Sequence, residues 1–140
     1  MKASLQFKEY HVIESVYKFN PFFENEDIIE TPNLFFNVNV APDKCEAVIK
    51  LGIELGDYNC KKSSLYIKAE IMGLFVIQGA SELTEDEIMS FYKTNAVAIL
   101  FPYLRSLVTD LSNKGSEPPI ILPTINIVAL MKDSHHKEQQ

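Results

Sequence analysis

The stretch NAVAILFPYLRSLVTDLSNKGSEPPIILPTINIVALM, Asn95 to Met131, decides the fold. Val97, Leu100, Phe101, Leu104, Leu107, Val108 and Leu111 recur at helical spacing and predict an amphipathic helix over about 96–113. Asn95 is a candidate N-cap for it. Pro102 falls about two turns in, where it removes one backbone hydrogen bond and should kink the helix. Gly115 sits where a left-handed C-cap residue belongs. Pro118, Pro119 and Pro123 keep 116–124 extended. Asn126 can then cap a short final helix from Ile127 to about Lys132, and DSHHKEQQ is left as a solvated tail.

Upstream of Asn95 the pattern is mostly strand-like. Residues 5–19 alternate with interruptions, through Leu5, Phe7, Tyr10, Val12, Val16, Tyr17 and Phe19, as a long strand with one or two bulges would. Asn20–Pro21 ends it, and 22–33 reads as an irregular acidic connection. Leu34, Phe36, Val38 and Val40 share one side of a second strand. After the turn at 41–44, Ala47, Ile49, Leu51, Ile53 and Leu55 line a third. Leu65 to Gln78 forms a fourth, apolar on both faces after Ile71. Thr84 and Glu87 fit a capping box, with Leu83 and Ile88 as a hydrophobic staple, so a short helix is predicted over 85–93. The expected class is α+β: a four-stranded antiparallel sheet followed by a long helix and a short C-terminal helix, in one domain over 1–132 with a disordered tail over 133–140.

Bulk properties exclude several functions. The chain has 140 residues, 46% of them apolar, and a net charge of −6, with no basic patch for nucleic acid. Cys45 and Cys60 are too few for a disulfide framework and lack zinc spacing, so they read as free thiols. His11, His135 and His136 form no metal motif with them. The N-terminus lacks the apolar core of a signal peptide. The longest uninterrupted apolar run, Ala96–Leu104, falls far short of the ~20 residues that cross a bilayer. No phosphate loop and no nucleophile–histidine–acid set is present. A cytoplasmic protein that is not an enzyme, needs no cofactor and does not insert in membranes is expected.

Apolar residues are in surplus. One sheet with one main helix has one face to bury, yet the fourth strand and most of the 96–111 helix are apolar all round. Two readings remain open from composition: an ordinary core with a homo-oligomer interface, or that interface together with an exposed apolar groove.

The run I-L-F-P-Y-x-R at Ile99–Arg105, Gly115, and P-x-I-x-L-x-x-I-N at Pro118–Asn126 resemble the C-terminal half of the SecB family of protein-export chaperones. The family's G-x-F-x-I-x-G strand stands here as Gly73, Phe75, Ile77 and Gly79. Asn126, Ala129, Leu130 and Met131 match its last helix. The resemblance implies a SecB-like fold that assembles as a dimer or tetramer and holds unfolded polypeptide clients without ATP, in protein export. It implies client contacts at Phe36, Val38, Val40, Phe75, Tyr103 and Met131. It also implies an oligomer interface involving Ile67, Ala69, Ile71, Leu100, Leu104 and Leu107. Export members dock SecA through acidic residues on the exposed sheet face. Those positions fall on Glu14, Lys18 and Lys68, so two of the three carry the opposite charge and reverse the local field. The family also includes chaperones dedicated to an antitoxin and SecB-like proteins of other duty. A SecB-fold interaction protein without the groove and a small-ligand binder are the competing readings.

Overall fold

A computed structural model describes residues 3–24, 32–43 and 45–122. The expected final helix from Ile127, its cap Asn126, Met131 and the tail over 133–140 lie outside these residues, as does most of the 22–33 connection. Four strands form one antiparallel sheet: β1 Ser4–Phe19, β2 Asn33–Val40, β3 Glu46–Gly56 and β4 Leu65–Gln78. Their spatial order is β1-β4-β3-β2, so β1 and β2 are the edges.

The period-2 pattern explains the register. Phe36 lies opposite Leu51, and Leu51 opposite Ile71, so one apolar row runs across three strands. Two bulges interrupt β1, one between Phe7 and Glu9 and one between Val12 and Glu14. Each extra residue restores the apolar positions to the inner face: Phe7 faces Phe75, Tyr10 faces Gly73, Val12 faces Ile71 and Tyr17 faces Ile67. Val16, read from sequence as part of the apolar series, pairs instead with Lys68 and lies on the outer face.

Beyond β4, a short 3-10 turn at Ala80–Glu82 leads to α1, Glu85–Ser90. Its capping box is formed: the Glu87 N–H donates to Thr84 Oγ1, and the Thr84 N–H donates to the Glu87 carboxylate. Ile88, the far end of the expected staple, is buried, and Leu83 packs on the same core. A wide π-type turn over Phe91–Ala96 then joins α1 to α2, Val97–Ser112, so the chain is helical from Glu85 onward. Asn95 lies inside that turn and caps nothing, because the backbone at Ala96 is already helical. The helix continues through Pro102, which is exposed. It ends at Asn113 with φ −96°. The described glycines with positive φ are Gly56 and Gly79, so Gly115 is not a left-handed cap.

α2 lies across the inner face, over β4, β3 and β1. Leu100, Leu104 and Val108 point into a core with Ile49, Leu51, Ala69, Ile71 and Phe75. Gly73 is what lets the helix approach: a Cβ there would sit 2.8 Å from a Leu100 methyl. On the outer face, the Phe35 ring lies over Gly52 in the same way, covering the bare backbone of β3.

Candidate functional site

Because α2 does not span the whole sheet, apolar surface is left on both sides of it. On the β2 side, alternation brings Leu34, Phe36, Val38 and Val40 to the inner face. Leu34 and Phe36 are buried, while Val38 and Val40 are half-buried and accessible from solvent. β2 is an edge strand of eight residues without a charge, a proline or a bulge, devices that commonly shield such edges.

On the β1 side an aromatic chain rises out of the core. Phe75 stacks on Phe7 with centroids 5.1 Å apart, Phe7 meets Tyr103 at 5.6 Å, and Tyr103 meets Tyr10 at 4.5 Å. Phe75 is fully buried, whereas Tyr10 and Tyr103 are each 40% exposed and Val12, on the same inner face, is 48% exposed.

The structure therefore divides the six expected client contacts. Phe36, Val38 and Val40 stay together on the β2 flank, with Phe36 closed off beneath its neighbours. Phe75 is the buried foot of the aromatic chain and presents no surface to a client. Tyr103 belongs to the β1 flank. Met131 lies outside the described residues. Phe7 and Tyr10 are the surface aromatics that sequence reading missed as site residues. The bulge at Lys8 hides the fact that they share a face, and the broken alternation around it was the available signal.

The six expected oligomer contacts also need correction. Ile67, Ala69, Ile71, Leu100 and Leu104 are fully buried within one chain, because α2 packs directly on β4. Core residues of one copy cannot touch another. Leu107 is half-buried. Exposed apolar side chains remain on the β1 flank, at Tyr10, Val12 and Tyr103.

Glu14, Lys18 and Lys68 do share the outer face. Lys68 Nζ lies 2.9 Å from the Glu14 carboxylate, and that bond holds the lysine's pKa above its usual value. The Lys18 ammonium sits 3.2 Å from the centroid of the Tyr58 ring and donates to the Tyr58 carbonyl. Tyr58 is carried by a loop that Asp57 organises. The Asp57 carboxylate accepts from the N–H groups of Lys61, Lys62 and Asn59, which lowers its pKa. Tyr58 in turn meets Tyr66 edge-on at 5.4 Å, and the Tyr66 hydroxyl donates to Glu54 at 2.6 Å. Both lysines thus have partners within their own chain.

Cys45 and Cys60 are free thiols. Among the described residues no group of three His, Cys, Asp or Glu could hold a metal, and no helix is long and apolar enough to cross a membrane.

An antiparallel sheet with one long helix across it leaves apolar surface on both flanks, the kind of surface that marks an interaction site. The comparisons agree. A family model described as preprotein translocase subunit SecB matches residues 23–139. The chain belongs to the SecB family, a family of non-enzymatic chaperones. An uncharacterized protein of Methanocaldococcus jannaschii is 30% identical over 99% of this chain and 90% of its own length. The protein-export protein SecB of a Ruegeria species is 31% identical over 74% of this chain. The chain spans 66% of that relative and 50% of the Methylococcus capsulatus SecB, to which it is 36% identical over the matched part. Among solved structures, a SecB-like chaperone of Mycobacterium tuberculosis, in complex with an antitoxin peptide, superposes with a TM-score of 0.67 at 20% identity. That match covers 87% of this chain and 91% of the other. A Streptococcus agalactiae protein of unknown function gives 0.53 at 17%.

Proposed function

We propose that the protein is a cytosolic, ATP-independent holdase that binds extended apolar segments of unfolded polypeptides and works as a homo-oligomer. The observation that carries this reading is the half-open apolar row Val38–Val40 on the uncharged edge strand β2. Side-chain burial there is non-directional, so many sequences can be accepted, each buried client side chain contributing about 1.5–3 kcal/mol before ordering costs. Strand-edge hydrogen bonds from β2 would add affinity without sequence preference. Met131 is assigned to the same wall on the family resemblance. The net charge of −6 favours clients with basic residues near their apolar segments.

Two duties fit such a site. Export of preproteins follows from the SecB relatives, and service to one antitoxin follows from the Mycobacterium tuberculosis neighbour. Lys68 neutralises Glu14, and Lys18 lies on the same face, so contact with SecA is no part of this reading.

The test is suppression of aggregation by an unfolded client, with and without Val38→Ser and Val40→Ser together. The parent should hold the client, and the double variant should bind it about tenfold or more weakly with the oligomer intact. A parent that leaves aggregation untouched would return the chain to a SecB-fold interaction protein.

A further inference from the structure

The chain after α2 is tied back to it by a closed ring of hydrogen bonds. Thr109 Oγ1 donates to the Ile120 carbonyl at 3.0 Å. The Ile120 N–H donates to Ser112 Oγ at 2.6 Å, and Ser112 Oγ donates to the Thr109 carbonyl at 3.0 Å. Two hydroxyls on one helix turn thereby satisfy both backbone groups of a single residue. Ser112 is 2% exposed while Thr109 and Ile120 are half-buried, so the ring is partly shielded from water, and hydrogen bonds in shielded sites are electrostatically stronger.

The neighbourhood of Ile120 shows what the ring holds in place. Residues 113–119 are all exposed. Ile120 is half-buried, Ile121 is 64% exposed and Leu122 is 3% exposed. Inward-facing side chains thus alternate around the clamped residue, and the clamp sets which of them turn in. Leu122 belongs to the single continuous core that also holds Leu34 and Phe36, and Ile120 packs against that core. α2 lies chiefly over β4, β3 and β1, which leaves β2 at the margin of the helix.

We propose that residues 113–122 are a strap latched by Thr109 and Ser112, and that unlatching opens Leu34 and Phe36 to an extended apolar polypeptide segment. The latch suits reversible opening. It is short, it binds the strap by backbone groups alone, and the strap offers few side chains to the core. Once open, Leu34 and Phe36 continue the row of Val38 and Val40, lengthening the apolar face of β2 along the whole strand. Thr109 and Ser112 are positioning residues, and their role for clients rests on the holdase reading above.

The experiment compares the full chain with Thr109→Val/Ser112→Ala, which removes both hydroxyls, and with Thr109→Ser, which keeps both. Hydrogen exchange should rise tenfold or more at 120–122 in the double variant while α2 and the sheet stay protected. Binding of anilinonaphthalene sulfonate should rise severalfold, and so should affinity for a permanently unfolded polypeptide. Thr109→Ser should behave as the parent. Exchange that is unchanged, or that rises equally in strap, helix and sheet, overturns the latch. If the double variant does not fold, Ser112→Ala alone is read in the same way, since it removes the acceptor of the Ile120 N–H. A parent that binds no unfolded polypeptide overturns the holdase reading, while exchange and dye binding still decide whether the strap is a latch.

Discussion

Tyr92 shows how one residue is governed by its surroundings. It sits in the π-type turn with no exposed surface, and burial pushes its pKa up to about 12, helped by Cys45, Asp43 and Glu46. The phenol ionises more readily in the unfolded chain, near pH 10, than in the fold. Between these values the folded state holds the extra proton, so stability is full below pH 10 and falls as pH rises toward 12. The loss should reach on the order of 2 kcal/mol for this group. Tyr66 acts in the same direction, its pKa raised by burial and by the hydrogen bond to Glu54. Urea unfolding at pH 9, 10 and 11.5 should show this slope for the parent and a shallower one for Tyr92→Phe, whatever the variant's stability at pH 7. Equal slopes would mean that Tyr92 does not titrate with unfolding.

At the scale of elements, α2 is held by its buried face and by the glycine beneath it. Leu104 is fully buried among core atoms. A carboxylate placed there would be buried without a partner, at a cost on the order of several kcal/mol. Leu104→Glu should therefore unfold the single chain, seen as lost near-ultraviolet dichroism, and not merely dissociate an assembly. A folded monomer would show that the helix face is wrongly assigned. The strands were legible because alternation survives burial on one face: β2, β3 and β4 lie within a residue or two of where their patterns place them. β1 was legible in length and in its bulges. The turn between the helices was not. Asn95 reads locally as a cap, yet packing of Tyr92 and Ala96 into the core carries the helix straight through it. Gly115 was misread for a related reason, since the helix ends without needing a left-handed residue.

For the whole molecule, the β1 flank is the surface on which the proposed homo-oligomer is tested. Tyr10, Val12 and Tyr103 form exposed apolar surface continuous with the core through Phe7 and Phe75. A patch of this kind marks an interaction site. Sedimentation at micromolar concentration should show a homo-oligomer, and Val12→Lys should weaken it roughly tenfold or more by burying a charge in the contact. A well-behaved monomer, in parent and variant alike, would free this flank for some other partner.

Periodicity and capping chemistry were enough to define the class of fold and the order of its elements, because they are local and repeat along the chain, whereas the family was legible only in the resemblance of particular motifs such as Ile99–Arg105. The sites depended on what lies over what. Helical spacing marks Leu100 and Leu104 as apolar, but it cannot say whether they meet their own sheet or another copy. Alternation marks Phe36 and Phe75 equally with Val38 and Val40, and only the tertiary packing buries the first two while leaving the valines half open. Lys18 and Lys68 read as free charges until the sheet sets them against Tyr58 and Glu14. Hydrophobicity is a property of the residue, whereas exposure is a property of its neighbours, and those neighbours are distant in sequence.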